Sequence, residues 1–287
     1  MACDWLLVDG SSSIFRAFYA VPASVRAPDG RQVNAVRGFL ETLARLITTR
    51  RPRRLAVASD IDWRPAWRVE LLPSYKLHRV PEPIPPALEP QMPVIEELLS
   101  AIGVDMQGVA DYEAEDVIAS WTARIDGTVE IASGDRDLFA LVESDRIVVL
   151  YPEKGGLAVV DEAEVSRRYG VPGRRYADFA VLRGDPSDGL PGLKGVGAVS
   201  AAQLIKRHGG IEAMLRDTSV GELQREYLTK AMQVVQPVRH LEVSLPPGRR
   251  EQYPEDANAT DALAEQHGVR NAVGHLVTAL GSMVSDA

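Results

Sequence analysis

Nine carboxylates could assemble into one charged pocket: Asp9, Asp60, Glu113, Glu115, Asp116, Asp135, Asp137, Asp185 and Asp188. Asp9 closes the apolar run Leu6-Leu7-Val8, Asp60 follows Leu55 to Ser59, and Asp135 follows Val129 to Gly134. Such short apolar runs read as buried strands. In an open parallel sheet the carboxyl ends of the strands share one edge, and ligands bind there. Acids dozens of residues apart would then meet. Meeting carboxylates repel, and protonation or cations must relieve them. His78, His208, His240, His267 and His275 are scattered, and Cys3 is the single cysteine, so no softer ligand set competes. An all-oxygen site suits Mg²⁺ or Mn²⁺. Two such ions side by side clamp an in-line attack on a phosphodiester. The chemistry is phosphoryl transfer to water.

Plainer readings stand beside this one. Glu113-Ala114-Glu115-Asp116 opens a helix, where acids cap and complement the dipole. Asp135-Arg136-Asp137 reads equally well as a turn. The elements that would carry these groups alternate. Strand patterns cover 5–8, 55–58, 129–132 and 147–150, and helical patterns cover 36–49, 94–102 and 114–124. Asp9-Gly10-Ser11 reads as the turn after the first strand. That alternation points to a parallel α/β sheet. From Trp63 to Pro93 the pattern breaks under repeated prolines among Arg64, Arg68, Lys76, His78 and Arg79, as in a solvated connection or a functional lid. After Asp161 the chain turns mainly helical. A glycine-dense stretch spans 184–197, a helix runs from Ala198 to about His208, and a polar run precedes a final helix over 269–280.

The 287 residues allow one large domain or two modest ones. One cysteine excludes an internal disulfide framework. No apolar stretch approaches the ~20 residues of a membrane span, and the first residues lack the pattern of a signal peptide. A cytoplasmic protein is expected. The net charge of −8 argues against a nucleic-acid partner until its distribution is considered. Without the nine acids above, the remainder sums to +1 and is free to present positive patches to phosphates.

Five motifs in order then carry a resemblance: VDGSSSIFRAF at 8–18, LPSYKLHR at 72–79, YEAEDVIA at 112–119, SGDRDL at 133–138 and GDPSDGLPGLKGVG at 184–197. Together they resemble the 5′ nuclease (flap endonuclease) superfamily, in particular the 5′→3′ exonuclease domain of bacterial DNA polymerase I and its stand-alone relatives. The resemblance implies an α/β fold with a PIN-like, mostly parallel sheet flanked by helices. It adds a helical arch and a helix-hairpin-helix (helix–three-turn–helix) subdomain. The nuclease domain with its arch (about 63–93) would occupy 1–170, and a helical DNA-binding part with its hairpin at 190–197 would occupy 171–287.

The resemblance also implies roles. Asp9, Asp60, Glu113, Glu115, Asp116 and Asp135 look like the set around a first Mg²⁺ or Mn²⁺, and Asp137, Asp185 and Asp188 like the set around a second. Asp60 is preferred to Asp62 because it directly follows its strand. Lys76 and Arg79 would meet the scissile phosphate, and Tyr75 would stack on a base near the cut or else pack under the arch. Lys194, Gly195, Gly197 and Lys206 would bind duplex phosphates, with backbone N–H groups approaching unobstructed at the glycines. Carbonyls of Gly192, Leu193 and Val196 match a K⁺ site. The implied substrates are DNA with 5′ flaps, gaps or free 5′ ends, and RNA in RNA–DNA hybrids, handled by a monomer in replication and repair. With no room for a polymerase module in this length, a free-standing nuclease is expected. A PIN-type ribonuclease shares the acidic pocket but is usually shorter and lacks the hairpin. A binding module that had lost catalysis would lack some of the acids.

Overall fold

The computed structural model describes residues 3–81, 84–217 and 221–285. Its centre is a six-stranded sheet in the order β3-β2-β1-β4-β5-β6, built from β1 (Trp5–Asp9), β2 (Arg54–Ala58), β3 (Met106–Gln107), β4 (Val129–Ala132), β5 (Ile147–Glu153) and β6 (Gly156–Val160). Pairing is parallel except between β5 and β6. Successive side chains of a strand point to opposite faces, and β1 is apolar on both. Trp5 and Leu7 enter one core while Leu6 and Val8 enter the other. A strand buried on both sides reads as a continuous apolar run, which is why β1 is visible in the sequence.

Helices cover both faces. α1 (Gly10–Ala20), α2 (Asn34–Arg50) and α4 (Met92–Ile102) fill one core; α3 (Ala66–Leu71) lies at the start of the proline-rich stretch. α5 (Ala114–Thr122), α6 (Glu162–Tyr169) and α7 (Tyr176–Arg183) lie on the other, followed by α8 (Ala198–His208), α9 (Ile211–Met214) and α10 (Glu222–Val235). The expected turn after β1 is instead the start of α1. The Asp9 carboxylate caps it by accepting from Ser12 N–H at 2.9 Å. Gly10 is required there, because a Cβ would lie 2.8 Å from the Ala58 carbonyl of the neighbouring strand.

Two further differences concern the ends of the chain. The polar run before the last helix is itself helical, as α11 (Ala257–Gln266), capped by Asp256. With α12 (Arg270–Ser285) it packs on α2 and α4, through Ala264, Val273, Leu276 and Leu280. The stretch expected as one helical unit over 171–287 is therefore divided. Its first part shares the α5 core and its last part returns to the opposite face of the sheet. Between 63 and 93 the described residues form α3 and two 3₁₀ turns, Leu77–Arg79 and Glu89–Gln91. Prolines at 73, 81, 85, 86 and 90 remove the N–H donors that a longer helix would need. Residues 82 and 83 of the expected arch lie outside the described residues.

Candidate active site

β1 lies between β2 and β4, where the crossovers part in opposite directions, and the carboxyl ends of these strands open a cleft. The cleft holds about 500 Å³. Eight of the nine expected acids line it: Asp9, Asp60, Glu113, Glu115, Asp135, Asp137, Asp185 and Asp188. Local hydrogen bonds fix their aim. Ser133 Oγ donates to Asp9 at 2.5 Å, and Asp60 accepts from Ala114 N–H at 2.8 Å, tying the end of β2 to the start of α5. Asp137 N–H donates to Asp135 at 2.9 Å. Glu115, Asp135 and Asp137 each offer a carboxylate oxygen within 4.8 Å of the others, the one such group of three among the described residues. Arg16, Lys76, Arg79 and Arg136 are the basic residues of its walls.

The charges are held against their preference. Burial, and then Asp60, pushes Asp9 up to about 7, and burial with Asp135 pushes Asp188 to about 6. Burial also drives Glu115 and Asp137 well above the carboxylate range, Asp137 with help from Asp188 and Asp135. Asp60 is raised by burial and by Glu113. Glu113 goes the other way: burial opposes its charge, but Lys76 and Arg68 outweigh burial and hold it below its usual value. An all-oxygen set that repels itself to this degree fits hard divalent cations.

A stability profile follows from the signs. Asp9 and Asp188 have folded-state values above the ordinary 3.8, so the folded protein binds more protons than the unfolded chain between about pH 4 and 7, and its stability falls as pH rises through that window. In EDTA the protein should melt at least about 5 °C higher at pH 5.5 than at pH 8. Added Mg²⁺ should recover most of the difference at pH 8. A metal-free protein that melts lower at pH 5.5 would contradict this electrostatic account.

The sequence comparisons agree with this geometry. Residues 4–170 match the family described as 5′-3′ exonuclease, N-terminal resolvase-like domain, and residues 171–243 match its C-terminal SAM fold. A 5′-3′ exonuclease of Streptomyces coelicolor is 46% identical over 304 aligned positions, covering 96% of this chain and 99% of that protein. The chain belongs to the 5′-3′ exonuclease family. A 5′-3′ exonuclease of Mycobacterium tuberculosis is 42% identical, covering 99% of both chains. Among solved structures, the bacteriophage T5 D15 flap endonuclease, in a pseudo-enzyme-product complex with DNA and metal ions, superimposes with a TM-score of 0.66. It covers 98% of this chain and 99% of that one at 16% identity, a likeness of fold. This 5′-3′ exonuclease family member is thus a hydrolase of the nuclease class.

Within that family frame, individual residues can be placed. Asp116, expected among the metal ligands, does not face the cleft. It is fully buried, accepts from Arg68 and from Val238 N–H, each at 2.8 Å, and caps the start of α5 through Glu113 N–H. Asp185 lines the cleft but already meets two guanidinium groups, Arg136 at 3.0 Å and Arg183 at 3.2 Å. The stacking role for Tyr75 is not open in this conformation. Its ring is 3% exposed, and its hydroxyl donates to Glu113 at 2.6 Å. The packing alternative describes it. Lys76 is buried on Glu113, whereas Arg79 is exposed and reaches the Ser187 carbonyl at 3.1 Å.

The hairpin lies outside the cleft. Lys194, Gly195, Gly197 and Lys206 are exposed, and nothing in the protein would meet a Cβ at Gly195 or Gly197. Gly192 N–H donates to the Tyr227 hydroxyl at 3.0 Å, and the Leu193 carbonyl accepts from Val196 N–H at 3.0 Å. Arg68 is the group that sequence reasoning missed. It is wholly buried, with its guanidinium on Glu113, Glu115 and Asp116. The available signal was a cation between Trp67 and Val69 in an otherwise apolar helical turn.

Proposed function

We propose that the protein degrades DNA from 5′ ends and cuts 5′ flaps by a two-metal hydrolysis, with Mg²⁺ or Mn²⁺ held by the cleft acids. The observation that carries this reading is eight carboxylates converging on one cleft edge, faced by Lys76, Arg79 and Arg136. Glu115, Asp135 and Asp137 would hold one ion, with Asp9, Asp60, Glu113, Asp185 and Asp188 directing the remaining charge. Bound there, divalent ions supply an activated water and stabilise the leaving oxygen. The protein's own part is electrostatic: Lys76 and Arg79 offset charge growing on the scissile phosphate.

Duplex DNA would be gripped at 190–197 by exposed backbone N–H groups, Lys194, Lys206 and the start of α8, which fix register without reading sequence. The carbonyls of Gly192, Leu193 and Val196 would hold K⁺. Residues 1–170 would supply the nuclease, 63–93 the arch over the 5′ strand, and 171–243 the duplex grip. A cytoplasmic monomer that also accepts RNA–DNA hybrids fits these features; among the described residues no helix is long and apolar enough to cross a membrane.

The test pairs substrate and residue. On Mg²⁺, a 5′-flapped duplex should be cut, a blunt duplex more slowly, and neither in EDTA. Lys76→Ala should lower kcat by ~10²-fold, the scale of one pre-aimed electrostatic partner, while raising KM far less. Lys76→Arg should recover only part, because the fork poorly copies a point charge. Intact kcat with a large loss of affinity in Ca²⁺ would reduce Lys76 to a tether.

A further inference from the structure

Lys76 reaches the cleft from a constrained backbone. Its φ is +46°, in the left-handed region that residues with a side chain seldom adopt. Its N–H donates to the Asp188 carbonyl at 3.1 Å, and three residues on, the Arg79 guanidinium donates to the Ser187 carbonyl at 3.1 Å. Both acceptors sit in the turn 185–190, which carries two cleft acids. The turn closes on itself, Asp185 N–H to the Leu190 carbonyl at 3.1 Å and Leu190 N–H back to Asp185 at 2.9 Å. Arg136 and Arg183 brace it through Asp185.

Gly189 is where the turn touches the lysine segment. Its φ is +71°, and a Cβ there would fall 1.9 Å from the Ser74 carbonyl oxygen and 3.3 Å from Lys76 N. A left-handed φ alone tolerates some side chains; this contact tolerates none. We propose that Gly189 is a positioning residue for the reaction: its missing side chain lets the 185–190 turn clasp residues 74–76 and so sets where Lys76 meets the scissile phosphate. The inference rests on the role given to Lys76 above. The same turn runs directly into the hairpin at 190–197, so a duplex held there and the lysine at the cut share one rigid piece of backbone.

The size of the effect follows from the contact. An alanine at 189 must move the two segments apart by about 1.5 Å or more to reach an ordinary carbon–oxygen separation. A misplacement of ~1 Å costs on the order of 10²-fold in rate. The experiment is a double-mutant cycle on a 5′-flapped duplex in Mg²⁺, with binding measured in Ca²⁺. Gly189→Ala should lower kcat by ~10²-fold and leave KM and Ca²⁺-supported binding near wild type. In a Lys76→Ala background it should add almost nothing. Pro186→Gly, exposed and adding no atom, should loosen the clasp and lower kcat by a smaller factor; should Gly189→Ala not fold, the Pro186→Gly cycle decides by the same criterion. Wild-type kcat in the glycine variant, or losses that multiply fully with Lys76→Ala, would overturn the inference while leaving the lysine's role standing. Wild-type kcat in Lys76→Ala itself would overturn both.

Discussion

Asp135→Ala is expected to abolish cleavage and, in the absence of metal, to raise the melting temperature. Asp135 belongs with Glu115 and Asp137 to the one close group of three carboxylates among the described residues, so its loss opens the pocket where the proposed cation would be held. Charge stabilisation by such an ion is worth several kcal/mol, and turnover at saturating Mg²⁺ should fall by about 10³-fold or more. The stability effect weighs two opposing contributions. Asp135 accepts one turn hydrogen bond, from Asp137 N–H, worth about 1 kcal/mol. Against that, its charge pushes up the proton affinity of four buried neighbours, Glu115, Asp137, Asp188 and, more weakly, Asp9. Four relieved repulsions outweigh one bond. In EDTA at pH 8 the variant should melt a few degrees above wild type, about 3 °C on the scale of a chain this size, and Mg²⁺ should no longer raise it. Retention of more than a few per cent of wild-type turnover would sink the metal assignment. A lower metal-free melting point would show that the hydrogen bond dominates.

The strand ends bearing Asp9 and Asp60 were legible because a strand buried on both faces leaves an uninterrupted apolar run, and a run that soon meets an acid marks an edge; the strand before Asp135 was legible although Glu130 interrupts it. The start of α1 was not legible. Gly10-Ser11-Ser12-Ser13 has the composition of a turn, and only the close approach of Ala58 across the sheet shows why glycine opens a helix there. β3 has two residues and β6 opens on Gly156 directly after Gly155, too little pattern to declare a strand. α11 is polar on most of its surface, and its helical state depends on its cap and on packing against α4. Which acids face the cleft and which face inward is likewise a tertiary fact. Asp116 lies one position from Glu115 and three from Glu113 at the start of α5, and its partner is an arginine 48 residues away. Sequence spacing brings carboxylates together; it does not say which one a buried cation will claim.

Of the expected stability changes, the largest falls at that buried cation. The Arg68 guanidinium is wholly buried between the rings of Trp67, 4.9 Å away, and Tyr75, 5.8 Å away. It faces Glu113, Glu115 at 3.1 Å and Asp116 at 2.8 Å. Arg68→Met keeps much of the volume and removes the charge, so three buried carboxylates lose a shared partner. Breaking a buried pair from one side costs about 3–5 kcal/mol, which at pH 8 corresponds to a melting point lower by roughly 10 °C. The pH dependence distinguishes charge from packing. Burial already raises Glu115 and Asp116, with Arg68 opposing it, so without the arginine their folded-state values rise further above the unfolded ones. Such groups cost stability once pH exceeds the unfolded value, and protonation returns it as pH falls. The deficit of Arg68→Met should therefore shrink between pH 8 and pH 5, while a packing defect would stay constant. Arg68→Lys should fall between the two, since an ammonium restores charge but cannot fork to three acids. Turnover should drop in parallel with the loss of order in Glu113 and Glu115, and Lys76 should then carry more of the charge on Glu113. A melting point unchanged at pH 8, or a deficit that grows on acidification, would show that these carboxylates do not depend on Arg68, and the site would have to be held together by its backbone hydrogen bonds alone.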